Sequence, residues 1–434
     1  MLRHLTLALG GVVAVCLTGA YVHAQTFTTL HTFENTDGAN PEAALVEDGA
    51  GNLYSTTQYG GEYQTGTAFK LAPSGALTLL HQFGYPSTDA STPSSPLLPV
   101  GHNNFYGTSY TGGIYACGTF DEDQCGTVYQ VDAAGNESVV YSFGTNANDG
   151  QTPEGGLVRG PDGNFYGTTQ TGGATYDGTV YQLTPSGSES VLYTFQGGMD
   201  GNGPSGPLVV DARGDLWGTT LEGGGSATCS YYGTVLGCGT VFRLHKTTTG
   251  WTETVTYRFS GGADGGVPTP LAYDSVRHVL YGATNVGGNA SGCAYYAYQG
   301  GTTGCGTLFR LDATGTKETV LHDFSGQADG GEPSANVVLD SRGDLYGTTT
   351  LGGDMSCAAG YAGCGTVFML GAQDKFATIH TFTGGADGAV PLGALLVDQR
   401  HRALYGTASV GGDPNCQTQE GGGPGCGVVF RITQ

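Results

Sequence analysis

The chain has 434 residues, 37 of them acidic against 15 basic, for a formal net charge of −22. That balance disfavours nucleic acid and anionic membrane surfaces as partners. The 79 glycines hint at low complexity, but together with the 17 prolines they stay just under the composition of disordered segments, and they recur on a period, which argues for order.

Arg3 and His4 lead into an apolar run from Leu5 to Leu17, and Val22-His23-Ala24 precedes Gln25, the layout of a secretory signal cut after Ala24. The run is shorter than the roughly 20 apolar residues that cross a bilayer, and it contains Gly10 and Gly11. Val15 before Cys16 does not fit a lipoprotein signal. The expected organisation is a signal peptide over 1–24 and a single domain over 25–434, secreted or periplasmic, with no membrane insertion.

Three motifs then repeat seven times. An aromatic residue followed by Gly or Ser and a short hydroxyl or alanine run falls at Tyr54, Tyr106, Tyr166, Trp217, Tyr281, Tyr346 and Tyr405. A Gly-Thr-Val-Phe type segment follows each, opening at Gly66, Gly126, Gly178, Gly239, Gly306, Gly365 and Gly427. A third segment ends at Phe33, Phe83, Phe143, Phe195, Phe259, Phe324 and Phe382. Each repeat holds four short β-type runs bounded by Gly, Pro, Asp and Asn turns, with no helical periodicity.

Four antiparallel strands per unit, repeated radially, predict an all-β, seven-bladed β-propeller. The chain starts with a lone fourth strand, Phe27 to Phe33, and ends after a third, Gly427 to Ile432. The N-terminal strand is therefore expected to complete the last blade, removing an exposed sheet edge. An open solenoid would want capping repeats, and none is visible.

The recurring Leu-Tyr-Gly-Thr-Thr, Gly-Gly and Gly-Thr-Val-Phe-x-Leu segments resemble the Gloeo/Verruco (GloVer) repeat family of exported bacterial proteins, over nearly all of the mature chain. The resemblance implies a fold and export. It carries no defined activity and no catalytic residues to transfer.

Apart from Cys16, the cysteines fall in five local pairs: Cys117 with Cys125, Cys229 with Cys238, Cys293 with Cys305, Cys357 with Cys364, and Cys416 with Cys426. Each lies between the second and third strands of one blade, and the second member immediately precedes the glycine opening the third strand. The two repeats without cysteine have much shorter loops here. Five intrablade disulfides in an oxidising compartment are expected, each contributing roughly 2.5–3 kcal/mol by loop closure. The irregular spacing, and loops without His, argue against zinc.

The turn after strand two and the connection after strand four share one end of an antiparallel blade, here called the top. That face gathers the cysteine loops and seven Asp residues, Asp37, Asp89, Asp149, Asp200, Asp264, Asp329 and Asp387, each four residues before a proline. Assigning charges by strand position leaves the top acidic and without Lys, Arg or His. Turn chemistry, with Asp accepting the backbone N–H two residues on, accounts for the seven. A Ca²⁺ site built from their carboxylates is the alternative, and the one cofactor the sequence suggests.

Tyr231, Tyr232, Tyr295, Tyr296, Tyr298 and Tyr361 lie inside cysteine loops, with Tyr115 just outside one, and suit stacking on a sugar ring or a partner surface. His31, His81, His322 and His380 occupy equivalent fourth-strand positions filled elsewhere by Tyr141, Tyr193 and Tyr257, and so read as structural. No nucleophile–base pair assembles among sequence neighbours. Carboxylates that could serve a glycosidase are Asp121, Glu122 and Asp123 in one loop, and Glu154 and Glu332 near the channel mouth. The sequence thus leans to a monomeric, exported, non-catalytic propeller recognising a neutral glycan or an exported protein, with a carboxylate-dependent glycoside hydrolase as the alternative.

Overall fold

A computed structural model describes residues 25–101, 104–117, 124–231, 234–288, 293, 303–357, 362–371, 374–417 and 424–433. The expected leader, residues 1–24, lies outside them. All regular structure is β apart from one turn at Asp374, and among the described residues no helix is long and apolar enough to cross a membrane.

Seven antiparallel blades account for the main sheets, six of them four-stranded and the fifth carrying one extra short strand, Gly266–Pro268, beside Val279–Val286. The first blade runs Val46–Glu47, Leu53–Thr57, Thr67–Leu71, Leu77–Gln82 from the innermost strand outward. The seventh is made by Leu396–Asp398, Ala403–Ala408, Val428–Thr433 and, as its outermost strand, Thr26–Thr32. Thr26 pairs with Thr433 and Thr32 with Val428, so the N-terminal strand closes the ring as expected.

Within a blade, strand two is buried on both faces, and strand three is buried but for one half-exposed position that takes Lys70, Arg243, Arg310 or Arg431, which is why both are otherwise rich in Val, Phe, Tyr and Thr. Their hydroxyls satisfy one another: Thr57 bonds Thr67, Ser109 bonds Thr127, and the same contact recurs at Thr169–Thr179, Thr220–Thr240, Thr284–Thr307 and Thr349–Thr366, at 2.8 to 3.0 Å. In the seventh blade both partners become apolar, Ala408 opposite Val428, so no buried hydroxyl is orphaned.

Blades are joined by three sevenfold contacts. First, the phenylalanine ending each fourth strand meets the third-strand aromatic of the next blade edge to face: Phe33–Phe69, Phe83–Tyr129, Phe143–Tyr181, Phe195–Phe242, Phe259–Phe309, Phe324–Phe368 and Phe382–Phe430, with centroids 4.9 to 5.3 Å apart. Second, the proline of each connection sits on the glycine that opens the preceding blade's third strand, as Pro204 does on Gly178 and, across the ring closure, Pro41 on Gly427. Third, the residue before that proline donates its N–H to the carbonyl just ahead of the same glycine, from Thr92 to Thr65 round to Asn40 to Cys426, at 2.8 to 3.1 Å.

The third contact holds its donor residue at φ between 50° and 63° in every blade, even where it is the β-branched Thr92, Thr152, Val267 or Val390. Such residues avoid that region unless their surroundings hold them there.

All five disulfides form as paired in the sequence, with Cα–Cα distances of 5.0 to 5.8 Å. They lie against the connection after strand four: the Cys229 and Cys238 sulfurs pack on Gly261, and those of Cys293 and Cys305 on Gly326. Cysteine loops and Asp-bearing connections therefore share a face. In the two blades without cysteine a threonine hydroxyl takes over, Thr65 donating to the Phe83 carbonyl at 2.6 Å and Thr175 to that of Phe195.

The Gly–Pro contact sets a test. Gly178 has φ +93°, and a methyl there would come within 2.5 Å of both Pro204 Cδ and the Thr169 carbonyl oxygen. Gly178→Ala should lower unfolding free energy by about 2 kcal/mol or more. Gly49→Ala, with open space around it, should stay within about 0.5 kcal/mol of the parent in the same denaturant titration.

Candidate functional site

After each connection proline the chain turns down into an innermost strand, so alternate residues face the propeller axis. Glu42, Ser94, Glu154, Ser205, Ser334 and Leu392, each the residue after a connection proline, line an axial cavity of about 270 Å³ at the top, with Gln58 and Asn336 adding amides. All seven blades contribute to its wall, the fifth through Pro270.

Two carboxyls set its character. Burial pushes Glu42 up to about 7 against a bond from the Ser409 hydroxyl, and the neighbouring Glu154 charge adds to the rise. Ser409 is itself held by the Asn40 amide at 3.2 Å. Glu154 is also raised, by burial. The cavity therefore holds two carboxyls that resist ionisation, beside neutral hydroxyls and amides.

Of the sequence candidates, Glu154 lines this cavity. Glu332 is buried, with burial pushing it to about 7, but it occupies the left-handed position before Pro333 and is not part of the cavity wall. Glu42 escaped the sequence reading, although it follows Pro41 as Glu154 follows Pro153; the shared register was the available signal. Asp121, Glu122 and Asp123 lie outside the described residues, as do Tyr232, Tyr295, Tyr296, Tyr298 and Tyr361. Tyr231 pairs through its backbone with Thr234 in a small hairpin, and Tyr115 is exposed.

Other tyrosines stand out on the same face. Tyr63 and Tyr85 are exposed and stack on each other with centroids 5.5 Å apart, and Tyr110 and Tyr176 are exposed on the next two blades. These sit on blades one to three, two of which have short loops, where the sequence reading did not look.

Each of the seven Asp residues bonds the outer strand of its own blade. His31, His81, His322 and His380 reach Asp37, Asp89, Asp329 and Asp387 at 2.8 to 3.2 Å. Tyr141, Tyr193 and Tyr257 do the same to Asp149, Asp200 and Asp264 at 2.9 to 3.1 Å. The backbone donors differ from expectation: they lie three to five residues upstream, as Glu34 does for Asp37 and Gly84 for Asp89, with Ala90 and Gly150 adding an N–H one residue on to Asp89 and Asp149, rather than two residues on. The carboxylate thus ties the end of the outer strand to the connection leaving it.

The top face also carries a cation that strand assignment hid. Arg258 ends an outer strand, is exposed, and donates to the Met199 carbonyl of the neighbouring connection at 3.1 Å.

At four junctions a glutamate from the start of the next blade's outer strand approaches the Asp. Burial and the facing aspartate raise Glu189, Glu253 and Glu318 to about 7 and Glu137 to about 8.

These features define a disulfide-braced, seven-bladed propeller with an axial cavity of mixed polar and apolar lining. The chain belongs to the Gloeobacter/Verrucomicrobia repeat family, which matches residues 17–123, 119–298 and 295–434. No curated protein matches its sequence. Among solved structures, virginiamycin B lyase from Staphylococcus aureus aligns at 11% identity and a TM-score of 0.54, over 94% of this chain and 99% of that one. A streptogramin B lyase gives 12% and 0.56, over 94% and 97%. The extracellular domain of a putative one-component system from B. thetaiotaomicron gives 8% and 0.51, over 94% and 40%. At such identities the likeness shows the propeller fold alone.

The buried carboxyls imply an unusual pH profile. Glu42, Glu189, Glu253, Glu318 and Glu332 stand near 7 in the fold against an ordinary 4.5. The folded state then binds more protons than the unfolded one, so their contribution is full below about pH 4.5 and is lost as pH rises through about 7. Melting temperature should be higher at pH 5 than at pH 8, and Glu189→Gln should flatten that slope. Asp398 works oppositely: burial is outweighed by bonds from His401 and Arg400, and its contribution fades in acid below its ordinary range.

Proposed function

We propose that this protein is an exported binding propeller that takes a neutral, hydroxyl-rich ligand, the end of a glycan, at its top face. The observation that carries the reading is the composition of the axial cavity. Ser94, Ser205, Ser334, Gln58 and Asn336 offer neutral donors and acceptors, and Glu42 and Glu154 are carboxyls kept from full ionisation. A sugar hydroxyl can donate to or accept from each of these groups. The exposed pair Tyr63 and Tyr85, with Tyr115, supplies flat faces on which further rings of the same ligand would stack. Five disulfides suit an oxidising compartment outside the cytosol.

A second reading is favoured by the Glu42–Glu154 interaction. A carboxyl raised to about 7 beside a second carboxyl is the pairing a glycoside hydrolase uses as general acid and its partner.

One series of measurements decides between them. Neutral oligosaccharides screened by array and then by calorimetry should yield a binder whose affinity falls about tenfold or more in Asn336→Ala and in Tyr85→Ala. Retention without cleavage supports the binding module, whereas product release abolished by Glu42→Gln or Glu154→Gln supports the hydrolase. Binding unaffected by all four changes would remove the cavity from the account.

A further inference from the structure

The seven blade junctions obey an internal pairing rule with one exception. Where Tyr bonds the junction Asp, the next outer strand opens with Glu: Tyr141 with Glu189, Tyr193 with Glu253, Tyr257 with Glu318. Where His bonds it, that position is apolar. Phe376 stacks on His322 at 3.7 Å and Phe27 on His380 at 4.0 Å, and Leu77 occupies the place facing His31. The junction between blades one and two breaks the rule, because His81 and Glu137 occur together around Asp89.

Ligand atoms of His81, Asp89 and Glu137 all lie within 4.8 Å of one another. His81 Nε2 is 2.9 Å from Asp89 Oδ2, and Asp89 is buried, fixed by the N–H groups of Gly84 and Ala90. Glu137 Oε1 is buried with no hydrogen-bond partner. Beside them the Tyr129 hydroxyl is wholly buried, has no partner, and is close enough to Glu137 and Asp89 to feel both charges; Tyr181 stands likewise beside Glu189 and Asp149, so it is the imidazole of His81 that sets this junction apart. Two carboxyl groups and an imidazole crowded at one half-buried junction, with an idle hydroxyl beside them, are poorly matched as a purely structural set.

We infer that His81, Asp89 and Glu137 form a site for a divalent transition-metal ion of the zinc type. Nε2 and two carboxylate oxygens supply three ligands, leaving a fourth position for water within reach of the Tyr129 hydroxyl. A doubly charged ion neutralises the two carboxylates together, and the imidazole selects against the hard, oxygen-seeking Ca²⁺ and Mg²⁺. His81 keeps about a fifth of its side chain exposed, which gives the ion a way in. Among the described residues one other group of this kind occurs, Glu47, Asp398 and His401; its Glu47 and His401 border a cavity shared with Arg400 and Arg431, whose charges oppose a cation.

The repeat itself supplies variants that keep the fold. His81→Tyr reproduces the junctions of Asp149, Asp200 and Asp264, and Glu137→Phe reproduces that of Asp329. Chelator-treated protein should show a Zn²⁺-dependent rise in melting temperature and saturable binding by calorimetry. Both variants should melt cooperatively and bind Zn²⁺ about 100-fold more weakly. Ca²⁺ and Mg²⁺ should produce no comparable shift. Crystals soaked in Zn²⁺ should give an anomalous peak between His81 and Glu137. No Zn²⁺ response in the parent, Zn²⁺ binding in either variant as tight as in the parent, a larger shift with Ca²⁺, or an anomalous peak only elsewhere would each overturn the site.

Discussion

The constraint on which the molecule depends is the seating of each connection proline on a bare glycine of the blade before it. Propeller blades share no backbone ladder with their neighbours, so cohesion between them must come from side chains and a few isolated hydrogen bonds. Here the Pro–Gly contact, the N–H of the preceding residue and the Phe–aromatic edge act on the same few ångströms of each junction. A glycine is demanded because its neighbour's ring and a carbonyl already occupy the space of a Cβ. The positive φ of Val267 or Val390 is the strain that this arrangement holds in place.

The same economy explains several sequence oddities. Ala90 replaces the glycine that follows the junction Asp in the other blades, and the strand-two residue of the next blade shrinks to Ser109 where most blades have Thr. Where glycine is kept, as at Gly150 and Gly265, the added carbon would strike that threonine. Strand-two glycines such as Gly167 and Gly347 lie under the rings of Tyr181 and Phe368. Repeats that look merely similar are thus tuned pair by pair.

Much of the architecture was legible in the sequence because it is written seven times: the sectors, the shared face of loops and connections, the cysteine pairing and the borrowed outer strand all follow from position within a repeat. The axial cavity was not, because its wall uses a register that varies from blade to blade, Glu42, Ser94, Glu154, Ser205, Ser334, Leu392. A position free to vary carries no periodic signal, and that freedom suits a surface shaped for a ligand. Glu332 was assigned to the channel because it neighbours a proline, yet a shift of one residue changes the direction a side chain takes. Arg258 was hidden for a different reason: strand membership says nothing of which end a long side chain reaches.

The seventh blade has a consequence for how the molecule is made. Its sheet unites Thr26–Thr32 with Val428–Thr433, the most distant segments of the described chain. A polypeptide delivered from one end can assemble six blades in order while the first strand waits, unpaired, for the last. Closure is therefore the final event of assembly. Until it happens the Pro41 seat on Gly427 and the Asn40–Cys426 hydrogen bond do not exist, and a nascent or threaded chain remains an open arc.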